Sequence, residues 1–310
     1  MTTPDNAYCA AVDWGTSGFR LWLVDVKGEI LGERRSREGM QVAAAGAGFE
    51  PILEAHLSAL NAPADLPVII CGMAGARQGW IEAPYVDAPA DLAAITRGAI
   101  RVPGITRDVR ILPGVAQRPD ANGIGADVIR GEETQVMGLG LEGLLCLPGT
   151  HSKWVEAGSG RISGFSTFMT GEMFALLSEQ SILRHSIDPA SDVLAERAAF
   201  LAGLSASLGA PAAILNRLFS LRASGLFGDS TPAEARSRLS GLVIGLEIAG
   251  AQALYPDRST VALAASGPLR DLYLLALAEA GFTTSEADAD AAVRKGLLAA
   301  ARYCFGTFKD

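Results

Sequence analysis

Ala10-Ala11-Val12-Asp13-Trp14-Gly15-Thr16-Ser17-Gly18-Phe19-Arg20-Leu21-Trp22-Leu23 is the stretch on which the reading of this chain turns. A small apolar run breaks at an acid and a Gly/Thr/Ser/Gly cluster, then resumes as Leu-Trp-Leu-Val. Turn formers between two strand-like runs read as a tight β-hairpin. The turn offers backbone N–H groups and hydroxyls, with no bulky side chain to keep a phosphate away. An aspartate ending the first strand suits Mg²⁺, which favours oxygen ligands and substrate phosphates. The plain alternative is an ordinary hairpin with a polar turn.

Working outward, the 310 residues suggest two domains, though one large α/β domain is open. A chain of this length buries about three-quarters of its unfolded surface, so neither disulfides nor a structural metal is needed. The four cysteines (Cys9, Cys71, Cys146 and Cys304) are far apart, without Cys-x-x-Cys spacing, which fits a reducing cytosol. The net charge of −8 and the absence of a lysine-rich tract disfavour nucleic acid and anionic membranes as partners. Met1 to Asn6 is polar and carries Asp5, unlike a signal peptide. The apolar run Leu239–Leu254 contains Glu247 and glycines and reads as a buried helix rather than a membrane span. The expectation is a cytoplasmic protein. Its oligomeric state is not legible; a homodimer is compatible.

Residues 8–36 read as two or three short strands, and Phe49–Leu60 has helical apolar spacing. Pro67-Val-Ile-Ile-Cys-Gly-Met73 reads as a buried parallel strand. The loop after it, Gly72 to Tyr85, is a candidate substrate contact, because ligands in open α/β sheets bind beyond the carboxyl ends of strands. A long surface connection is its alternative. Ala90–Ile100 looks helical, and Val109–Val115 looks like a strand. A polar loop, Gln117–Gly125, precedes Asp127-Val-Ile-Arg-Gly-Glu-Glu-Thr-Gln135. Its paired glutamates fit the first turn of a helix, where acids complement the dipole. Leu144–Val155 opens a second half, giving domains 1–143 and 144–310, with the final helix available to pack back on the first. Helical patterns follow at 171–183, 191–204 and 212–221. Thr231-Pro-Ala-Glu234 starts a long helix to about Tyr255. Thr260–Ala265 reads as a strand ending in a Ser266-Gly267 turn, before helices at about 270–281 and 290–305.

Setting Gly15-Thr16 on Gly149-Thr150 aligns two similar segments. Each has an apolar strand, Gly-Thr with a serine nearby, a basic residue (Arg20, Lys153) and a tryptophan-bearing strand (Trp22, Trp154). Two such hairpins, one per domain across a cleft, would grip a nucleotide's phosphates. Competing motifs fail. There is no Gly-Lys-Ser/Thr, so a P-loop is absent. Gly138-Leu-Gly-Leu-Glu-Gly143 matches Gly-x-Gly-x-x-Gly but follows a helix and leads into a strand, the reverse of the dinucleotide fold. His56, His151 and His185 are isolated and lack metal-ligand spacing. No Gly-x-Ser-x-Gly elbow is present.

These residues resemble a known superfamily. Asp13–Arg20 is similar to the first phosphate motif of actin/hexokinase/Hsp70-like ATP-binding proteins, and Pro148-Gly-Thr-His-Ser-Lys-Trp-Val155 to the second. Leu263–Leu269 resembles the adenosine motif, and Gly241–Gly250 the helix connecting the domains. More narrowly, four segments resemble the 2-dehydro-3-deoxygalactonokinase family of sugar-acid kinases. They are Asp13-Trp-Gly15, the Gly72-Met-Ala-Gly75/Gly79-Trp80/Ala83-Pro-Tyr85 loop, Arg130-Gly-Glu-Glu-Thr-Gln135, and Pro148–Val155.

The resemblance implies an α/β protein of two ribonuclease-H-like (actin-like ATPase) domains with an interdomain cleft. It further implies Mg·ATP as donor and phosphorylation of the 6-hydroxyl of 2-dehydro-3-deoxy-D-galactonate. On this basis Asp13 organises Mg²⁺, and the turns Gly15, Thr16, Ser17 and Gly149, Thr150, His151, Ser152, Lys153 hold phosphates. Ser266 and Gly267 line the adenosine pocket. Arg20, Gly72, Met73, Trp80, Tyr85 and Arg130 serve the substrate side, with Arg130 facing the sugar acid's carboxylate. Arg77 and Gln78 fall where the loop is expected to vary. The base is Glu132 or Glu133, with Asp127 a weaker candidate because it precedes the motif. An exopolyphosphatase-like hydrolase and a non-catalytic ATP-binding sensor are the alternatives.

Overall fold

In β1 (Cys9–Trp14) every residue but Asp13 is fully buried, as a central strand covered on both faces must be. The structure, a computed structural model, describes residues 6–121 and 125–306. Parts of two sequence readings, the Met1–Asn6 opening and the 117–125 loop, therefore lie outside the described residues. The chain forms two units. One comprises the residues up to Glu142, Glu156–Phe165 and the segment from Asp288; the other comprises Gly143–Val155 and Ser166–Ala287. The units are thus interleaved in sequence, beside the expectation of a boundary at 143/144 with the final helix available to pack back on the first domain.

In the first unit β1 turns into β2 (Phe19–Val24) and then β3 (Ile30–Ser36). A short turn of helix α1 (Met40–Val42) and α2 (Phe49–Ala59) lead to β4 (Val68–Gly72), which is parallel to β1. Next come β5 (Val86–Asp87), β6 (Ala90–Asp91), α3 (Leu92–Arg97), β7 (Ile100–Arg101) and β8 (Val109–Ile111). The main sheet has the order β3-β2-β1-β4-β8-β7. A small sheet joins β5 to β9 (Val115–Gln117) and β10 (Asp127–Ile129), which precede α4 (Glu132–Leu139). Ile52, Leu53 and Leu57 of α2 pack with Val12, Trp14, Val68 and Ile70 on one face of the sheet.

The second unit begins with β11 (Gly143–Leu147) and the start of β12 (Ser152–Gly158); the end of β12 and most of β13 (Arg161–Phe168) fall in the Glu156–Phe165 segment of the first unit. A helical block follows: α5 (Thr170–Glu179), α6 (Arg197–Gly209), α7 (Ile214–Phe227) and α8 (Pro232–Leu254). It ends with β14 (Thr260–Ala264), α9 (Gly267–Glu279) and β15 (Thr283–Ala287). The strand order β15-β14-β11-β12-β13 repeats β8-β4-β1-β2-β3, with parallel pairing at the matching places. The predicted capping box at Thr231 is present, with both Thr231 and Glu234 reaching back to main-chain N–H groups. The Gly138–Gly143 run does join a helix, α4, to a strand, β11. No single helix among the described residues is long and apolar enough to cross a membrane.

Several elements differ from the sequence reading. The 90–100 helix covers only Leu92–Arg97, and the 191–204 helix starts at Arg197. The Ser266-Gly267 turn is the start of α9, and β15 had not been anticipated. Finally α10 (Ala289–Phe305) belongs to the first unit, packing against β1, β4, α3 and α4.

Candidate active site

The hairpin register sets Asp13 opposite Arg20 and Arg20 opposite Arg35, a row of charges across β1, β2 and β3. Arg20 binds Asp13 through one guanidinium nitrogen and Asp290, on the first turn of α10, through another. Arg35 Nη2 reaches the other Asp290 oxygen at 2.7 Å. Burial pushes the Asp13 carboxyl up, against the pull of Arg20 and with a further push from Glu132 and Asp290. For Arg20, burial works against the charge but is outweighed by Asp13 and Asp290, which hold it firmly cationic. Asp13, Gly15, Gly18, Arg20, Arg35 and Ser36 line a cavity of about 350 Å³.

The turn itself is anchored from behind. Gly15 N–H donates to Gly18 O at 2.9 Å, while Met40 and Gln41 N–H donate to the Gly15 and Thr16 carbonyls at 2.9 and 3.1 Å. Gly39 sits at the contact, where a Cβ would lie 2.4 Å from Thr16 O. Thr16 and Ser17 stay exposed. The second unit repeats the device: Glu172 N–H donates to Thr150 O at 3.0 Å, and a Cβ on Gly171 would lie 2.6 Å from Gly149 O. The echo read between the two Gly-Thr turns therefore extends to how each is held. In both, carbonyls are taken up by a following helix, as suits a turn whose amide edge is to meet an anion.

Within the second turn, His151 Nε2 pairs with Glu172 Oε2 at 2.5 Å, and Lys153 Nζ donates to His151 O at 2.8 Å. Ser152 could serve an anion through its main chain alone. Its side chain is fully buried and bonds the Tyr273 hydroxyl at 3.0 Å, so the hydroxyl faces the core rather than a phosphate. Tyr273 in turn donates to Glu247 Oε2 at 2.6 Å, and Trp154 Nε1 donates to Glu247 Oε1 at 2.8 Å. Burial pushes the Glu247 carboxyl up and these bonds, with Thr170, pull it back. Beside this network lies an apolar cavity of about 180 Å³, lined among others by Gly149, Phe174, Val243, Ile244, Leu269 and Leu272. Ser266 and Gly267 are exposed at the start of α9.

At the carboxyl end of β4, Gly72 adopts φ +91°, and a Cβ there would meet Trp14 O at 2.7 Å and Asp13 Oδ1 at 3.4 Å. Gly131 (φ +109°) approaches Gly72 Cα, so the Arg130–Glu133 segment reaches the Asp13 end of the sheet. Arg130 N–H donates to Glu132 Oε2 at 3.0 Å. Glu133 is fully buried, taking Gly131 N–H at 2.6 Å on one oxygen and the Thr134 hydroxyl at 2.9 Å on the other. Burial, then the Glu132 charge, push its pKa up to about 7. The Arg130 guanidinium lies 4.3 Å over the Tyr85 ring and donates to Ala83 O at 2.9 Å. Its Nε and Nη1 are enclosed without a hydrogen-bond partner. Met73 is half-buried in the turn after β4. Trp80 instead stacks on Phe49 (5.9 Å) and meets Trp14 edge-on, a packing role. Arg77 and Gln78 are exposed, and Asp127 lies upstream in β10.

The profile of the 2-keto-3-deoxy-galactonokinase family matches residues 13–300. The chain belongs to that family. Among family relatives, the probable 2-dehydro-3-deoxygalactonokinase of Rhizobium meliloti is 52% identical, over 97% of this chain and 98% of its own. The 2-dehydro-3-deoxygalactonokinase of Escherichia coli is 33% identical, over 93% and 95%. A crystal structure from Sinorhizobium meliloti, provisionally described as a 2-dehydro-3-deoxygalactonokinase, superposes with a TM-score of 0.91 at 50% identity, over 97% and 100%. Outside the family, the fold is shared with the Clostridium difficile activator of 2-hydroxyisocaproyl-CoA dehydratase with bound ADPNP, at a TM-score of 0.50 and 11% identity, over 96% and 94%. The family relatives are kinases and give no support to the hydrolase or sensor readings.

Two residues of the family member's hairpin site escaped the sequence reading, Asp290 and Arg35. Asp290 registers in sequence only as an acid in the first turn of a helix, 270 residues from Arg20. Arg35 became visible only once the β2–β3 register was known.

Proposed function

We propose that this chain transfers the γ-phosphoryl group of Mg·ATP to the 6-hydroxyl of 2-dehydro-3-deoxy-D-galactonate. The observation that carries the acceptor is Arg130. Its guanidinium is oriented by Tyr85 and Ala83, and two enclosed donors lack a partner. A buried donor left unmade is costly, and a planar guanidinium fork suits a carboxylate. The sugar acid supplies one.

The residues fit the donor as well. Mg²⁺ takes one or two protein carboxylates with waters and phosphates rather than a full protein cage, and no cluster of three or more ligating side chains exists among the described residues. Asp13 would hold it, and the ion would neutralise charge on the transferred phosphoryl group. The Gly15–Ser17 and Gly149–His151 turns offer main-chain donors to phosphate oxygens, and the apolar cavity beside Gly149 and Leu269 accepts the adenine. Arg20, kept cationic by two carboxylates, offsets charge as the leaving oxygen departs.

The 6-hydroxyl oxygen bonds to the γ-phosphorus as the β–γ bridging bond breaks. We assign the departing hydroxyl proton to Glu132, which is partly exposed and close enough to Asp13 to raise its pKa. Glu133 has both oxygens engaged and no exposed surface; it fixes Gly131 and so aims its neighbours. Coupled ADP release with and without 2-dehydro-3-deoxygalactonate tests the reading. ADP release should depend on the sugar acid, and Glu132→Gln should lower kcat by about 10²-fold or more with ATP binding retained. ATP turnover indifferent to the sugar acid would sink it.

A further inference from the structure

We propose that the second unit carries a separate anion site, a groove between α6, α7 and α8 that binds a phosphate group. The group could be the free ion or borne by a small phosphorylated sugar acid. The inference stands apart from the transfer chemistry above.

α7 buries Leu221, with Ile214 and Leu218 beside it, in an apolar cluster with Leu239, Leu242 and Val243 of α8. Its outer side leaves Leu215, Phe219, Leu226 and Phe227 between 64% and 80% exposed. Its inner side turns Arg217, Ser220 and Ser224 into a groove of about 430 Å³, beside Leu221 and opposite Arg238 and Leu242 of α8. Positions three, four and seven apart share a helix face, so this polar side is continuous.

The groove is also cationic and unsatisfied. Arg217 Nη1 and Arg238 Nε are both enclosed without a hydrogen-bond partner. No carboxylate lines it. Glu234, one turn before Arg238, is occupied by its capping box, accepting from Thr231 N–H at 2.7 Å and Thr231 Oγ1 at 3.1 Å. Arg236 turns away, 5.3 Å over the Phe174 ring. The floor is rigid: α6 and α8 touch at Gly203, where a Cβ would lie 2.3 Å from Arg238 O.

Two guanidinium forks and the Ser224 hydroxyl supply more donors than a planar carboxylate accepts, the Ser220 hydroxyl being given to Asn216 O at 3.1 Å; a tetrahedral phosphate, with its larger charge, matches them. The volume exceeds that of the ion and leaves room for a small organic body. In a chain of net charge −8 such a basic pocket is local, not a general property of the surface.

Titration calorimetry of the full chain with inorganic phosphate, and separately with 6-phosphogluconate, tests the site. Saturable binding is expected. Arg217→Ala and Arg238→Ala should each weaken it at least tenfold while leaving sugar-acid-dependent ADP release unchanged, and Arg130→Ala should leave it intact. Binding of inorganic phosphate assigns the free ion, and binding of 6-phosphogluconate alone assigns a metabolite; either supports the site. No saturable binding of either probe overturns the proposal, as does unchanged affinity in the folded arginine variants. Should those variants unfold, Ser224→Leu fills the groove instead, and binding retained in that protein overturns the proposal.

Discussion

A carboxyl group with no exposed surface, as at Glu133, ties protonation to folding. Its pKa of about 7 lies above the ordinary 4.5, so the folded state binds the proton more tightly than the unfolded chain. The stability this provides is complete below pH 4.5 and is lost as pH rises through about 7. The full effect is on the order of 3 kcal/mol. Glu133→Gln should therefore flatten the dependence of thermal stability on pH between those limits, relative to the parent protein. Parallel curves for the two would show that Glu133 titrates as it does in the unfolded chain. At this scale the sequence singled out Asp13, Arg130 and the glutamate pair, and the structure brings the Asp13 end of β1 and the Gly131 turn together. The sequence could not divide roles between Glu132 and Glu133, because that division depends on which carboxylate the turn at Gly131 encloses. The inward-facing Ser152 hydroxyl was not legible either, since a hydroxyl beside a Gly-Thr turn reads the same whichever way its strand's alternation falls, and the expected main-chain role of that turn does not depend on it.

Among the elements, the crossing of α4 and α10 sets the position of the Arg130–Glu133 segment. A Cβ on Gly138 would lie 1.8 Å from Ala292 O, and one on Gly296 would lie 2.0 Å from Thr134 O. The helices meet backbone to backbone. Glu132 and Glu133 begin α4, and Asp290 begins α10, so their separation is fixed by this contact. Gly138→Val should push the helices apart, costing about 1–3 kcal/mol. Thermal unfolding should register that loss, and kcat should fall with it. A variant of unchanged melting temperature and kcat would show that the crossing relaxes without consequence. Of the two glycines, the sequence singles out only Gly138, within the rejected dinucleotide motif, since small residues announce close approach without saying to what. The strands, by contrast, were legible through their apolar runs and turns. The missed β15 is a polar edge strand, exposed in a way that hides it from a periodicity argument.

Across the whole molecule, one topological scheme is used twice, and the sequence betrayed it through two Gly-Thr turns because hairpin chemistry is local. The assignment of α10 to the first unit was not local and had appeared only as an option. Ala292, Val293, Leu297 and Leu298 of α10 are buried there, beside the face of the sheet opposite α2. Truncation after Ala287 should therefore abolish cooperative unfolding of the first unit, rather than merely its activity, as followed by circular dichroism. A truncated chain that melts like the parent would contradict this. The same threading sets an order on synthesis. Every residue of the second unit leaves the ribosome before α10 does, whereas the first unit lacks one face of its core until then. The usual amino-terminal-first sequence of folding is inverted. A nascent chain carries Asp13 and Arg20 early, but acquires the Asp290 clamp on Arg20 only at the close of translation.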